Sequence, residues 1–279
     1  MAIRRNPPPS QKRGFSLIEL AVVMAIVAFL LGGLTYTLSA QVDQRNFEET
    51  RRRLDQAREL ILAFAITNGR LPCPARSVAT AAPVTVPGDE VLTTTGTVGC
   101  IGDAVTDFYG GTAGGVTYGL LPARAIGYQQ VDASGFAVDA WGNRIRYAVS
   151  GATPANCAGT STMPHFFSST NLKQNGISCQ PSDLLVCKSA TGITATACGG
   201  ATNQIMTQDL LAVIIFSTGK NGAGAAGGID EAANLNGDRI FVYHTPTPTT
   251  AANGEFDDQF TWITYGELYG KMIAAGVLP

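Results

Sequence analysis

The chain has 279 residues, 45% of them hydrophobic and only 14% charged, with a net charge of −2. This is too apolar for intrinsic disorder, and it supplies one sizeable core or two small ones. The balance carries none of the basic excess that a nucleic-acid surface requires, so direct binding to nucleic acid is not expected.

The charge is unevenly placed. Arg4, Arg5, Lys12 and Arg13 open the chain with no acidic partner, leaving 19 − 4 = 15 basic residues against 21 acidic ones. A basic tip ahead of an apolar run is a topology signal, because Lys and Arg stay on the cytoplasmic side. Residues 1–14, MAIRRNPPPSQKRG, cannot be helical across Pro7–Pro9. From Phe15 the text becomes FSLIELAVVMAIVAFLLGGLTYTLSAQV, and between Glu19 and Asp43 lie 23 uncharged residues. At helical rise that run is ~35 Å long, enough to cross a bilayer core. A secretory signal peptide or a plain anchor is the simpler reading. Against the signal peptide, no small-x-small site closes the run except Ser39-Ala40, and a helical pattern continues through it.

That continuation is amphipathic. Phe47, Leu54, Ala57, Ile61 and Phe64 form one stripe, while Arg51, Arg52, Arg53, Asp55, Arg58 and Glu59 lie mostly on other faces. Asn68-Gly69 and Pro72 stop it. No proline interrupts residues 15–68, which predicts one helix of roughly fifty residues, ~80 Å by rise. Residues 77–118 read as a long loop with short extended pieces. Asp139–Asn143 supplies a turn before an alternating run in which Ile145, Tyr147 and Val149 point one way and Arg144 and Arg146 the other. Residues 151–204 read as a disulfide-held insertion. Leu210–Phe216 and Ile240–Tyr243 are strand candidates with the Gly/Asn/Asp loop 219–238 between them, and Phe260–Leu278 holds a last strand and a short helix.

Six cysteines, Cys73, Cys100, Cys157, Cys179, Cys187 and Cys198, all follow the apolar run. Their even number and this segregation suggest disulfides formed in an oxidising periplasm; metal binding and free thiols are the alternatives. Six cysteines allow 15 connectivities. Locality pairs Cys73 with Cys100, Cys157 with Cys179, and Cys187 with Cys198.

The informative string is Arg13-Gly14-Phe15-Ser16-Leu17-Ile18-Glu19. A lone acid in a membrane segment is costly and needs a partner. A cut after Gly14 would create an α-amino group on Phe15, and in a bundle of identical subunits that amine could neutralise a neighbour's Glu19. Any other stagger would bury an uncompensated charge, so the pair would specify register and add little stability.

This string, followed by the apolar run, closely resembles the class III signal of type IV pilins and type II secretion pseudopilins. The resemblance implies a membrane peptidase that cuts between Gly14 and Phe15 and methylates Phe15, with Glu19 as the register residue. Thr67-Asn-Gly-Arg-Leu-Pro72 is similar to the helix-ending segment of pseudopilins, and Asp139–Tyr147 to the Trp-Gly turn and strand of the major pseudopilin. Trp141 and Gly142 then read as scaffold. Two departures stand out: the mature chain exceeds a typical major pseudopilin, and Tyr36, near Gly32-Gly33, replaces the proline many pilins carry in this helix.

Loop 217–238 concentrates oxygen ligands and glycines, which suit calcium, and the resemblance places a calcium loop in the corresponding region. Asp230, Glu231, Asn236 and Asp238 are the candidate ligands; an ordinary polar turn is the alternative, and Asp257-Asp258 is a second acidic pair of unassigned place. No Gly-x-Ser-x-Gly, His-Glu-x-x-His or Walker loop is present, which argues against an enzyme.

The expected fold is α+β: a leader at residues 1–14, a helix at 15–68 whose residues 15–38 span the membrane or form a filament core, and a periplasmic pilin-like domain at 69–279 in which the helix packs on an antiparallel sheet of about four strands with disulfide-bonded loops. The expected role is a structural subunit of a type II secretion pseudopilus or related filament. Its partners would be prepilin peptidase, other pilin or pseudopilin subunits and an inner-membrane assembly platform. The chain would sit single-pass in the inner membrane, N-terminus inside, before joining a periplasmic or surface filament. A minor pilin acting in adhesion or DNA uptake, and a membrane-anchored binding domain, are the alternatives.

Overall fold

The computed structural model describes residues 16–77, 86–91, 100, 109–113, 116–151, 172, 176–178, 180–222 and 227–278, without the side chains of 33–39. The chain divides into two compact units, Met1–Arg45 and Asn46–Pro279. The described part of the first is the opening of helix α1 (Leu17–Asn68), 52 residues in all.

Both ends of α1 are written in the sequence. Ser16 Oγ accepts from Glu19 N (3.3 Å), and Ser16 N donates back to Glu19 Oε2 (2.9 Å). This reciprocal capping box satisfies two donors that the first turn leaves orphaned. At the far end Gly69 takes a left-handed φ of 68° and donates to Ala65 O. A residue with a Cβ would be strained there, so glycine ends the helix.

In the second unit α1 buries Thr50, Leu54, Ala57, Ile61, Leu62 and Ala65. Their steps of four, three, four, one and three keep them on one side of a helix with 3.6 residues per turn. The apolar members share one core cluster with Tyr147, Val149, Leu211–Phe216 and Ile263. Phe47 and Phe64, at the ends of the expected stripe, are only half-buried. Arg53 turns inward enough to donate to the carbonyls of Val138 and Asp139.

The main sheet has three antiparallel strands in the order β3 (Arg146–Val149), β6 (Leu211–Ser217), β8 (Gln259–Thr264). Every residue of β6 is buried, which explains why its text runs LAVIIFS without alternation: it is central, and covered on both faces. β3 is buried throughout as well. Arg146 therefore lies inside, donating to Gly110 O, while Arg144 pairs with Asp132 at 2.9 Å.

A second sheet was not expected. β4 (Leu185–Cys187) pairs in parallel with β7 (Ile240–Val242) and antiparallel with β5 (Gln204–Met206). Among the described residues the sheet content is thus three strands plus three in mixed pairing, with a small hairpin of β1 (Thr112–Ala113) and β2 (Val116–Thr117), rather than one four-stranded antiparallel sheet. Phe216 stacks on Phe260 at 4.9 Å and meets Phe241 edge-on at 5.7 Å, linking β7 to the main sheet. Loop 219–238 contains a short helix, α3 (Ile229–Asn234), after the single turn α2 (Ala123–Ile126) earlier in the chain. The C-terminus is β8 followed by α4 (Tyr265–Ala274), capped by Thr264.

Disulfides join Cys73 to Cys100 and Cys187 to Cys198. Cys157 and Cys179 lie outside the described residues. Just past the end of α1, Arg70 and Glu90 form a largely buried bidentate pair (2.7 and 2.6 Å), and Glu90 also accepts Cys73 N. Ile61→Ala should cost about 2–5 kcal/mol through the cavity it leaves. Gln56→Ala, on the exposed side of the same helix, should stay within about 0.5 kcal/mol. Urea unfolding of the two variants checks this; equal effects would mean the helix is not seated by this stripe.

Candidate functional site

Two places carry chemistry. The first is the start of α1. Gly14 and Phe15 lie outside the described residues; Ser16 and Glu19 form the capping box above. Around them the helix shows large apolar side chains outward, with Leu17 88%, Ile18 73% and Phe29 84% exposed. Monomeric soluble proteins rarely carry so continuous an apolar surface, so this one marks contact with lipid or other helices. Among the described residues no helix is long and apolar enough to cross a membrane. Described side chains run from Leu17 to Gly32, ~24 Å by rise against a ~30 Å hydrocarbon core.

The second place is a carboxylate cluster. Glu231 from α3 meets Asp257 and Asp258, which immediately precede β8, with one oxygen of each within 4.8 Å of the others. Glu231 Oε1 accepts from Asp257 N (2.6 Å) and Oε2 from Asn221 Nδ2 (2.8 Å). Asp257 Oδ2 accepts from Lys220 N (2.8 Å), and Asp258 Oδ2 from Asn234 Nδ2 (2.7 Å). Asp257 Oδ1 is buried with no hydrogen-bond partner, and so is Asn221 Oδ1, on the amide that touches Glu231. Gly219, at φ 64°, comes so close to Asp257 Oδ1 that any side chain there would collide with it. Burial, and then the neighbouring Glu231 charge, push Asp257 up to about 6. Burial pushes Asp258 up as well.

Of the four ligand candidates only Glu231 belongs to this cluster. Asp230 is buried but spent on Ala190 N, Asn253 Nδ2 and His244 Nε2. Asn236 and Asp238 bond each other (2.8 Å) and set the turn into β7, where Asp238 Oδ1 accepts from Ile240 N. The set Glu231, Asp257 and Asp258 fits a hard cation: three carboxylates, an orphaned buried oxygen, and a raised pKa that a nearby positive charge would reverse.

The Asp139–Asn143 turn is scaffold. Asp139 is buried and accepts from Trp141 N (2.9 Å), Asn143 N (2.8 Å) and Ser217 Oγ (2.6 Å). Trp141 is half-buried and packs edge-on against Phe47 at 4.8 Å. Asp139, rather than the indole, anchors the turn.

Residues 9–35 match the family described as the prokaryotic N-terminal methylation motif. The chain carries a prepilin-type signal. Comparison with curated proteins and with solved structures returned no match. The prepilin-type signal implies processing by prepilin peptidase and assembly with other pilin subunits.

Sequence reading missed two things here. The Ser16-x-x-Glu19 spacing is the standard capping-box signature and was available. The cluster was not, because Asp257 is 26 residues from Glu231 and only the return of the chain along β8 brings them together.

A pH test follows from Asp257. Its folded pKa lies above the ordinary 3.8, so the native state binds more protons than the unfolded one between about 4 and about 6. Its contribution therefore turns more destabilising as pH rises through that window. In metal-free buffer, Asp257→Asn should match the native Tm near pH 4 and gain on it up to about pH 6. A pH-independent difference would remove the assignment.

Proposed function

We propose that this chain is a structural subunit of a type II secretion pseudopilus or a related type IV pilus-like filament, not an enzyme. The precursor waits in the inner membrane with residues 1–14 inside. It is cut between Gly14 and Phe15, methylated on Phe15, and added to a filament from an inner-membrane platform. Cohesion comes from packing of residues 15–38 among neighbouring helices, and the Phe15 amine of one subunit pairs with Glu19 of the next to set the stagger. The observation that carries the reading is the coincidence of the methylation motif with an outward-facing apolar helix that starts at Leu17, capped by Ser16. The reading favours a pseudopilus because the Trp-Gly turn and the acidic loop both resemble that branch. A minor surface pilin remains the second reading, favoured by the extra cysteine-bearing segment around Cys187–Cys198.

Intact mass and N-terminal analysis of protein from native membranes tests the processing. The expected chain begins at N-methylated Phe15; one that begins near Met1, or after Ala40, would sink the proposal. Glu19→Ala should leave the globular unit folded while incorporation into filaments drops. Unchanged incorporation would remove Glu19 from the register role.

The cluster of Glu231, Asp257 and Asp258 would hold calcium, which would neutralise three buried carboxylates and clamp α3 to the start of β8. Adding millimolar calcium to chelated protein at pH 7 should raise Tm, and the rise should vanish in Asp257→Asn. An equal rise in the variant would place the ion elsewhere.

A further inference from the structure

β8 is the last strand of the main sheet, and register decides which of its backbone groups face away from β6. On the other side of β6, Ser150 N donates to Ala212 O, so even-numbered residues of β6 bond toward β3 and odd-numbered ones toward β8. Phe260 and Trp262, opposite Phe216 and Ile214, therefore turn their N–H and C=O outward. Arg58 agrees with this, because its Nε donates to Trp262 O at 3.0 Å. The Trp262 N–H and both groups of Phe260 remain, and no described strand lies beyond them. Next to them is a cavity of about 530 Å³, walled by Phe260, Thr261 and Trp262, by Arg51 and Asp55 of α1, and by Tyr243 after β7. Every residue of β8 except Ile263 is only half-buried, so the edge is reachable.

Neighbouring edges are closed by contrast. The Asn234 amide bonds both the N–H and the C=O of Val242 (2.7 and 3.1 Å), and Asp238 accepts from Ile240 N, which covers the free edge of β7. On the outer edge of β3, Tyr147 N is bonded to Gly119 O. β8 has only the Arg58 contact. Its text, QFTWIT, contains neither the charges nor the proline that ordinarily blunt an edge, and it is rich in aromatic and β-branched residues. An uncovered edge of this kind in a cavity wall accepts an extended segment as an added strand: main-chain bonds hold it and alternate side chains select it.

Charge narrows the choice of segment. Arg58 is shared by Glu59 (2.8 Å) and Glu267, which leaves one negative charge in excess there. Arg51 and Asp55 cancel, and His244 in the same wall is matched by Asp230. Asp258, also in the wall, adds to the excess when ionised and removes nothing when neutral. The cavity is therefore acidic in either state. α1 supplies its charged wall, while Tyr243 and Trp262, edge to face at 5.6 Å, supply an aromatic one. Successive side chains of a strand point to opposite faces, so a segment that alternates basic and apolar residues meets both walls. A second copy of β8 does not fit, since it is uncharged and would bring its own Asp55 and Glu267 against the first pair.

We propose that the free edge of β8 is a docking site for an extended segment of another protein, added as a strand, in which basic residues alternate with apolar ones. The site stands whichever filament the chain enters.

The test uses the full-length chain in zwitterionic detergent at pH 7. The probe is an acetylated, amidated hexapeptide of alternating valine and lysine, with the valine–glutamate peptide as charge control. In amide exchange read by NMR, the lysine peptide should slow the Phe260 and Trp262 N–H at least tenfold. The Thr261 and Ile263 N–H, already bonded to β6, should not change. Methylating the peptide nitrogens at the lysines or at the valines blocks opposite edges of the added strand. One of these two peptides should therefore lose binding at least tenfold while the other keeps it. Asp55→Lys, at an exposed position, should hold its Tm, weaken the lysine peptide at least fivefold and strengthen the glutamate one. The proposal is overturned if the lysine peptide does not bind, if the glutamate peptide binds the native chain equally well, if the two methylated peptides behave alike, or if Asp55→Lys changes neither affinity. It is equally overturned if the Phe260 and Trp262 N–H already exchange slowly without peptide. Slow exchange on dilution would mean cover from within the chain, and slow exchange only at high concentration would mean a second copy.

Discussion

The seating of α1 on the main sheet governs the rest of the second unit. Leu54, Ala57, Ile61, Leu62 and Ala65 close one side of a core whose other walls are β3, β6 and β8. Small Ala57 and Ala65 and the larger Leu54 and Ile61 are all buried in that core. Because β6 is covered on both faces, the helix stripe cannot slip without opening a void along its full length. The same seating places Arg53 over the Asp139 turn and Arg58 at the open edge of β8, where it covers the Trp262 carbonyl. Glycine at position 69 then ends the helix sharply enough for Arg70 to reach Glu90 inside.

Much of this frame was legible in the text, because strong periodicity survives tertiary context. The long helix, the apolar β6 and the C-terminal strand and helix each had a distinct pattern and a stop signal. What stayed hidden was local in length but long in reach. β4, β5 and β7 have only three residues each, too few to display a period, and β4 pairs in parallel with β7 across more than fifty residues. Alternation put Arg146 on the same face as Arg144, yet Arg146 is buried and donates to the carbonyl of Gly110. At the acidic loop, composition singled out Asp230, Glu231, Asn236 and Asp238, of which the fold brings only Glu231 together with Asp257 and Asp258. Asn236 and Asp238 are two residues apart and bond each other, as such pairs do when they initiate turns.

The buried carboxylates show two opposite treatments. Asp183 receives Ser150 Oγ, Gly151 N and Tyr109 OH, and Asp230 receives donors from three separate segments. Both are structural junctions with every oxygen occupied. Asp257 keeps one oxygen unpaired beside two other acids, an arrangement that costs stability unless something positive is supplied. The contrast within one domain separates carboxylates whose oxygens are all hydrogen-bonded from one that keeps an oxygen unpartnered.

The capping box at Ser16 and Glu19 bears on how a carboxylate can travel through an apolar medium at all. In the single chain Glu19 already holds one backbone donor of its own helix and is held by another group of the same residue. On the filament reading, adding a subunit would trade this companion for a neighbour's amine instead of stripping water from a bare ion. The driving force for correct stagger would then be the gain of a charged amine over a neutral amide, so a subunit out of register keeps its own cap and forgoes the ion pair.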